Sequence, residues 1–200
     1  MSSVIIWNAR GLGGRAKCAF LAAEARKSNA SIVVILKPKQ DSNKISLFSK
    51  RVGYGSFFHG HLANNHIWIF CKRSLQVDPV KVEGQCITVK IRYRGREILF
   101  SFVYASSDCL ERCRLWGSHD SLDTVGLPWF IGGDITSIVD LSRNNGGTLS
   151  YNHGMLDFNN FIANKGILDL GFQGSKFTWC NNRRGGSHIW CRLVWCLTNL

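Results

Sequence analysis

Residues 129–136, Trp129-Phe130-Ile131-Gly132-Gly133-Asp134-Ile135-Thr136, form an apolar strand-like run that passes through two glycines and delivers one aspartate. Open α/β sheets place ligands at the C-terminal edges of their strands, where a carboxylate can orient or deprotonate a water. Asp134 is therefore the first candidate for catalysis; taken alone, it is equally an Asx-type turn residue. Lys176, Trp179, Arg183 and Arg184 gather cations and an aromatic plane in one short stretch, suited to phosphate contacts and base stacking and equally to a solvated basic hairpin. Asn8 ends an apolar run just before Gly11-Leu12-Gly13-Gly14, where the plain reading is a cap on a glycine-rich turn. His59, His61 and His66 lie close together, but in a turn-like segment without carboxylates. None of the eight cysteines forms Cys-x-x-Cys, and Cys109/Cys113 lacks a nearby histidine pair, so the spacing is poor for zinc and the cysteines read as reduced, partly buried thiols.

The 200 residues suffice for one domain with a sizeable core, and 45% hydrophobic with 12% aromatic residues excludes a disordered chain. Lys and Arg number 25 against 13 Asp and Glu, a net charge of +12 that suits a polyanionic partner through counterion release and, on charge alone, equally a basic surface that only keeps the protein soluble. The start has no basic segment, long apolar run or small-residue cleavage site, and no stretch approaches a membrane span. The expected setting is nuclear or cytoplasmic, neither secreted nor in a membrane.

The elements that position these residues follow from pattern. Residues 4–7 and 31–36 read as strands buried on both faces, and 15–27 as a helix with Ala19, Phe20, Ala22 and Ala23 as its apolar stripe. A short helix is expected over 45–51. Strands at 56–58 and 67–71 form a hairpin across Asn64-Asn65. Strands at 76–78, 87–93 and 97–104 follow, the last two joined by a tight Arg94-Gly95 turn. A surface helix over 109–122 turns Leu110, Cys113 and Trp116 inward and Glu111, Arg112 and Arg114 outward. Residues 142–147 form a polar loop, Met155, Phe158, Phe161 and Ile162 a helical core stripe, and residues 168–170 and 177–179 short strands. No internal repeat divides the chain, so residues 1–200 are expected to form a single domain.

Trp7-Asn8-Ala9-Arg10-Gly11-Leu12, Phe102-Val103-Tyr104-Ala105, Gly133-Asp134, Phe177-Thr178-Trp179-Cys180-Asn181 and Ile189-Trp190-Cys191-Arg192-Leu193 span nearly the whole chain. In this order they resemble the endonuclease/exonuclease/phosphatase family, specifically the endonuclease domain of plant LINE-type (non-LTR) retrotransposons. That resemblance implies an α/β fold, a two-sheet α/β/β/α sandwich, here C-terminally truncated because no segment up to Leu200 matches the family's late Ser-Asp-His. It also implies a monomer that cuts DNA with Mg2+. Asp134 would then position or deprotonate the attacking water, Tyr104 would hydrogen-bond the phosphate, and Asn8 would sit near the metal. Arg10, Lys176, Trp179, Arg183 and Arg184 would contact nucleic acid.

Other family positions depart from the pattern. Lys37 stands at the metal-binding glutamate, Thr136 at the asparagine of Gly-Asp-Phe-Asn, and Val194 at the aspartate of Arg-Leu-Asp. A unit charge about 4 Å from a divalent cation interacts by about 8 kcal/mol at an effective dielectric of about 20, so Glu-to-Lys reverses a term larger than a weak magnesium affinity. An ammonium there can instead hold a phosphate. The expected function is a retrotransposon-derived, Mg-dependent phosphodiesterase domain that is catalytically impaired. The alternative is a non-catalytic nucleic-acid-binding remnant. A phosphatase or deadenylase relative is disfavoured by Phe177-Thr178-Trp179 and Arg192-Leu193.

Overall fold

Ile32-Val33-Val34-Ile35-Leu36 offers no polar side chain to either face, and such a strand is stable only between two apolar layers. The computed structural model describes residues 3–60, 64–120, 122, 126–136, 144–145, 153–183 and 188–199. The chain divides into two units, Met1–Tyr104 and Ala105–Leu200.

The first unit runs β1 (Ser3–Asn8), α1 (Arg15–Lys27), β2 (Ala30–Leu36), a 3-10 turn at Ser42–Lys44, α2 (Ile45–Val52), β3 (Ser56–Gly60), β4 (Asn64–Cys71), β5 (Gln76–Val82), β6 (Cys86–Tyr93) and β7 (Arg96–Tyr104). One sheet has the order β1-β2-β4-β3, with β1 and β2 parallel and the other pairs antiparallel. The strands β5, β6 and β7 form an antiparallel meander. Alternation along β2 feeds two cores. Val33 and Ile35 pack with Leu21 and Ala25 of α1, Phe48 and Val52 of α2, and Trp68 and Phe70 of β4. Ile32, Val34 and Leu36 join Ile67 and Ile69 against Ile87, Val89, Ile91 and Phe102 of the meander. The layers are thus helix, sheet, sheet. Inside the meander the buried hydroxyls of Thr88 and Ser101 satisfy each other at 2.7 Å, and burial pushes the nearby Cys86 thiol up to about 12.

The second unit contains α3 (Cys109–Asp120), β8 (Trp129–Asp134), β9 (Asn144–Asn145), α4 (His153–Asn164), β10 (Leu168–Asp169), β11 (Trp179–Cys180), β12 (Trp190–Cys191) and β13 (Val194–Thr198). β10, β13 and β8 pair antiparallel, as do β11, β12 and β9. The helices hold together through rings: Trp116 of α3 lies 4.9 Å from Phe158 and 5.1 Å from Phe161 of α4. Phe158 reaches Trp195 of β13 at 5.9 Å, and Phe161 reaches Trp129 of β8 at 6.0 Å. Arg192, 2% exposed, is the unit's main buried cation. Its two Nη atoms meet both carboxylate oxygens of Asp169 at 3.2 Å, and its guanidinium lies 4.5 Å from the Phe172 ring and 4.8 Å from the Trp195 ring. A planar guanidinium serves both functions at once.

Several expectations need correction. β1 is half-buried along its length because it is the sheet's outer strand. The α1 stripe is Cys18, Leu21, Ala22 and Ala25, leaving Ala19 and Ala23 exposed and Phe20 59% exposed. The i, i+3, i+4, i+7 set through Cys18 faces the sheet, a phase hidden because alanines occur on both sides. In α3, Leu110 is 71% exposed and Arg112, expected outside, is 7% exposed. Its Nη1 donates to the carbonyls of Ser106 (3.0 Å) and Ser107 (2.9 Å), satisfying the backbone that leads into the helix. Asn64 and Asn65 belong to β4, with Asn64 paired to Gly60, and are not the hairpin turn. Asn144 and Asn145 form a short strand within the expected 142–147 loop, whose other residues lie outside the described set. Among the described residues, no helix is long and apolar enough to cross a membrane.

Two substitutions test the layers. Trp68, fully buried between Phe48 and Phe70, donates its indole N–H to Asn65 at 2.9 Å. Trp68→Ala should lower stability by about 3–5 kcal/mol, read as a shift of the urea midpoint. Arg192→Lys keeps the charge but loses the fork and the stacking, and should cost about 2 kcal/mol by the same measurement.

Candidate phosphodiester site

At the C-terminal edge of the first sheet, the parallel register sets Asn8 opposite Leu36, so the chain leaves β1 and β2 side by side. The backbone after them is held by cross-strand hydrogen bonds. Ala9 N–H donates to the Leu36 carbonyl (3.0 Å), Gly11 N–H to Lys37 (2.8 Å), and Leu12 N–H to Pro38 (2.6 Å). Lys17 Nζ, from the first turn of α1, donates to the carbonyls of Ala9 (3.1 Å) and Gly11 (2.7 Å). Three basic residues in these two segments have left-handed backbone, Arg10 (φ 45), Lys37 (φ 53) and Lys39 (φ 50). Residues other than Gly, Asn and Asp rarely adopt it.

Lys37 is half-buried, and its Nζ lies 5.7 Å from the centre of the Tyr104 ring. Its N–H donates to the His66 carbonyl at 2.7 Å, and the His66 ring lies 5.6 Å from that of Tyr104. The first unit thus brings together Lys37 and Tyr104, adds His66, and holds Asn8 on the strand beside them. Arg10 is exposed on the loop that follows. The histidine went unrecognised because its neighbours suggested a turn; the antiparallel register of β2 with β4, Leu36 opposite Ile67, is what brings it to Lys37.

In the second unit, Asp134 ends β8, half-buried, and its carbonyl accepts the Ala105 N–H at 2.8 Å. Val194 of β13 stands directly opposite it and is exposed. The Thr136 hydroxyl donates to the Ala105 carbonyl at 2.9 Å, while its backbone sits at φ 55, an unusual place for a β-branched residue. Thr178 Oγ1 accepts the N–H groups of Leu193 (2.9 Å) and Val194 (3.2 Å), fixing the segment that faces Asp134. Arg192 points into the core, touching this strand end only through its Nε, which donates to the Val194 carbonyl at 3.4 Å.

The basic and aromatic stretch is only partly assembled. Trp179 lies half-buried in β11 opposite Cys191. Lys176 is exposed, with Nζ 5.6 Å from the Phe177 ring, and Arg183 is exposed with its N–H bonded to Asn181 Oδ1 at 3.1 Å. Arg184 lies outside the described residues.

The donor set at the end of β2 does not fit magnesium. That ion takes carboxylates and other hard oxygens, whereas here the strand end presents an ammonium over a phenol ring. Lys37 suits an anion instead.

No protein-family model matches the sequence, and no curated protein matches it significantly. Solved structures do match. The endonuclease domain of TRAS1, a telomere-specific non-LTR retrotransposon, superposes with a TM-score of 0.67 at 18% identity, over 97% of this chain and 83% of that one. D. rerio TDP2 complexed with single strand DNA product gives 0.61 at 14%, over 98% and 82%. A beta hairpin deletion mutant of beta toxin from Staphylococcus aureus gives 0.63 at 11%, over 98% and 86%. At such identities the likeness is one of architecture. A two-sheet α/β chain that superposes on all three over nearly its whole length has the endonuclease/exonuclease/phosphatase fold.

Proposed function

We propose that this chain is a retrotransposon-derived, DNA endonuclease-type domain that retains phosphodiester binding and is impaired in magnesium-dependent hydrolysis. The observation that carries the reading is the ammonium of Lys37 against Tyr104 at the end of β2, where the resemblance calls for a metal-binding glutamate. The charge that would repel a divalent cation attracts a phosphate oxygen. Tyr104 can donate its hydroxyl and Asn8 its amide to the same kind of group. Arg10, Lys176, Arg183 and Arg184 supply further phosphate contacts and Trp179 a stacking surface. The net charge of +12 acts in the same direction. DNA is the preferred polyanion, supported by the single strand DNA product in the TDP2 neighbour, and the domain works in the nucleus or cytoplasm.

Asp134 keeps the carboxylate that would orient a water in the ancestral reaction. Around it the equipment is reduced: the side chain of Val194, directly opposite, has no polar atom, and the Thr136 hydroxyl is turned to the Ala105 carbonyl. Groups that act as a unit in catalysis lose most of their effect when one is removed, so one surviving aspartate does not sustain the rate.

Supercoiled plasmid incubated with the chain should remain uncut with or without magnesium, while a labelled oligonucleotide binds with an affinity that falls steeply with salt. Lys37→Ala should weaken that binding by about tenfold and reduce the salt slope by about one. Magnesium-dependent nicking by the unaltered chain would overturn the impairment. Loss of the salt dependence, or no effect of Lys37→Ala, would overturn the phosphate role.

Thr136→Asn replaces a β-branched residue with one that tolerates left-handed backbone, and should raise stability by about 1 kcal/mol in urea titration. Unchanged or lowered stability would show that the Thr136 hydroxyl bond outweighs the strain.

A further inference from the structure

Cys113 and Cys109 are one helical turn apart on α3, so their side chains emerge on the same face. α4 brings Asp157 to that face, with Cys113 Sγ donating to Asp157 Oδ2 at 2.6 Å. The two sulfurs and a carboxylate oxygen all lie within 4.8 Å of one another. We infer that Cys109, Cys113 and Asp157 form a binding site for a thiophilic divalent ion, zinc above all, that clips α3 to α4.

The ligand chemistry selects the ion. Two thiolates and one carboxylate are three of the four donors of a tetrahedral zinc site and a poor set for magnesium or calcium. Zinc–sulfur bonds of about 2.3 Å and zinc–oxygen bonds of about 2.0–2.2 Å put neighbouring ligand atoms about 3.5–3.8 Å apart, so small side-chain rotations within the cluster suffice. The fourth position falls to water, for which there is room: Cys113, Asp157, Asn160 and Asn164 line an open groove of about 220 Å³. Binding breaks the S–H bond of each cysteine and releases the protons to solvent, and each sulfur's freed pair forms the bond to the ion.

The scaffold is rigid where the site needs it. Asp108 caps α3, its Oδ1 accepting the Glu111 N–H at 3.0 Å, and Arg112 fastens the preceding loop through the carbonyls of Ser106 and Ser107. Trp116, three residues beyond Cys113, stacks on Phe161 and packs tilted against Phe158, both on α4 with Asp157. The spacing of the ligands is therefore set by the ring stack. The neighbouring arginines of α3 have partners of their own: Arg112 those carbonyls, Arg114 Glu111. Without an ion the carboxylate of Asp157 holds the Cys113 thiol protonated, pushed up to about 11, with burial and the charge of Asp157 adding to the hydrogen bond. A divalent cation between the two reverses that preference.

The site is tested by titrating the full chain with Co2+ under a non-thiol reductant. One equivalent should give the intense thiolate-to-cobalt charge-transfer absorption of a tetrahedral site, Zn2+ should abolish it, and the urea midpoint should rise with the ion present. Cys113→Ser should remove the absorption and Asp157→Asn should weaken binding by about tenfold or more, whereas Cys180→Ser and Cys196→Ser should leave both unchanged. Cys109→Ser carries the same expectation as Cys113→Ser should that variant fail to fold by circular dichroism. Absence of the absorption in the unaltered chain, its persistence in the Cys109 or Cys113 variant, or its loss in the Cys180 or Cys196 variant would overturn the inference.

Discussion

The first unit depends on one constraint: β2 must be dry on both faces. Val33 and Ile35 cannot be buried without the two helices, and Ile32, Val34 and Leu36 cannot be buried without the meander. Burying each of these side chains contributes about 1.5–3 kcal/mol, so the strand alone draws helix, sheet and sheet into register. That same burial ends abruptly at Leu36, because the next residue carries a charge. Lys37 is thereby delivered to a sheet edge by the hydrophobic effect, with no local preference of its own for the conformation it adopts.

The second unit solves a different problem. Its apolar surface is dominated by rings, and its strands are short, so Trp116, Trp129, Phe158, Phe161 and Trp195 do what runs of valine and isoleucine do in β2. A buried arginine takes part on equal terms: Arg192 is an apolar plane on both faces and a charged fork at its edge, and Asp169 completes it. Cation, carboxylate and rings form one packed body near β13, which in turn registers Val194 against Asp134.

Element positions were legible where periodicity was unambiguous. The α1 bounds, the buried β2 and the Arg94-Gly95 turn, with φ of 51 and 77, follow from pattern and turn chemistry. Helix phase was not legible where small residues surround the cylinder: alanine is at home on either side, so Ala19 and Ala25 cannot be told apart without the sheet they face. Arg112 was misplaced outward because charge usually means surface, and what reverses that is a pair of loop carbonyls that no window of sequence contains. Three candidate residues were legible as strand ends: Asn8, Tyr104 and Asp134 each lie at the terminus of a strand. His66 and Asp157 were not, since each owes its place to an element far away in sequence.

The hydrogen bonds around Lys37 separate what holds its backbone from what its side chain does. Its N–H is held by His66 and its carbonyl by Gly11, so main-chain partners alone fix the backbone there. The main chain forms a socket at this position, and the side chain it carries rests over the Tyr104 ring. Those main-chain bonds do not depend on the residue's side chain, so an exchange of ammonium for carboxylate at this edge leaves every one of them available.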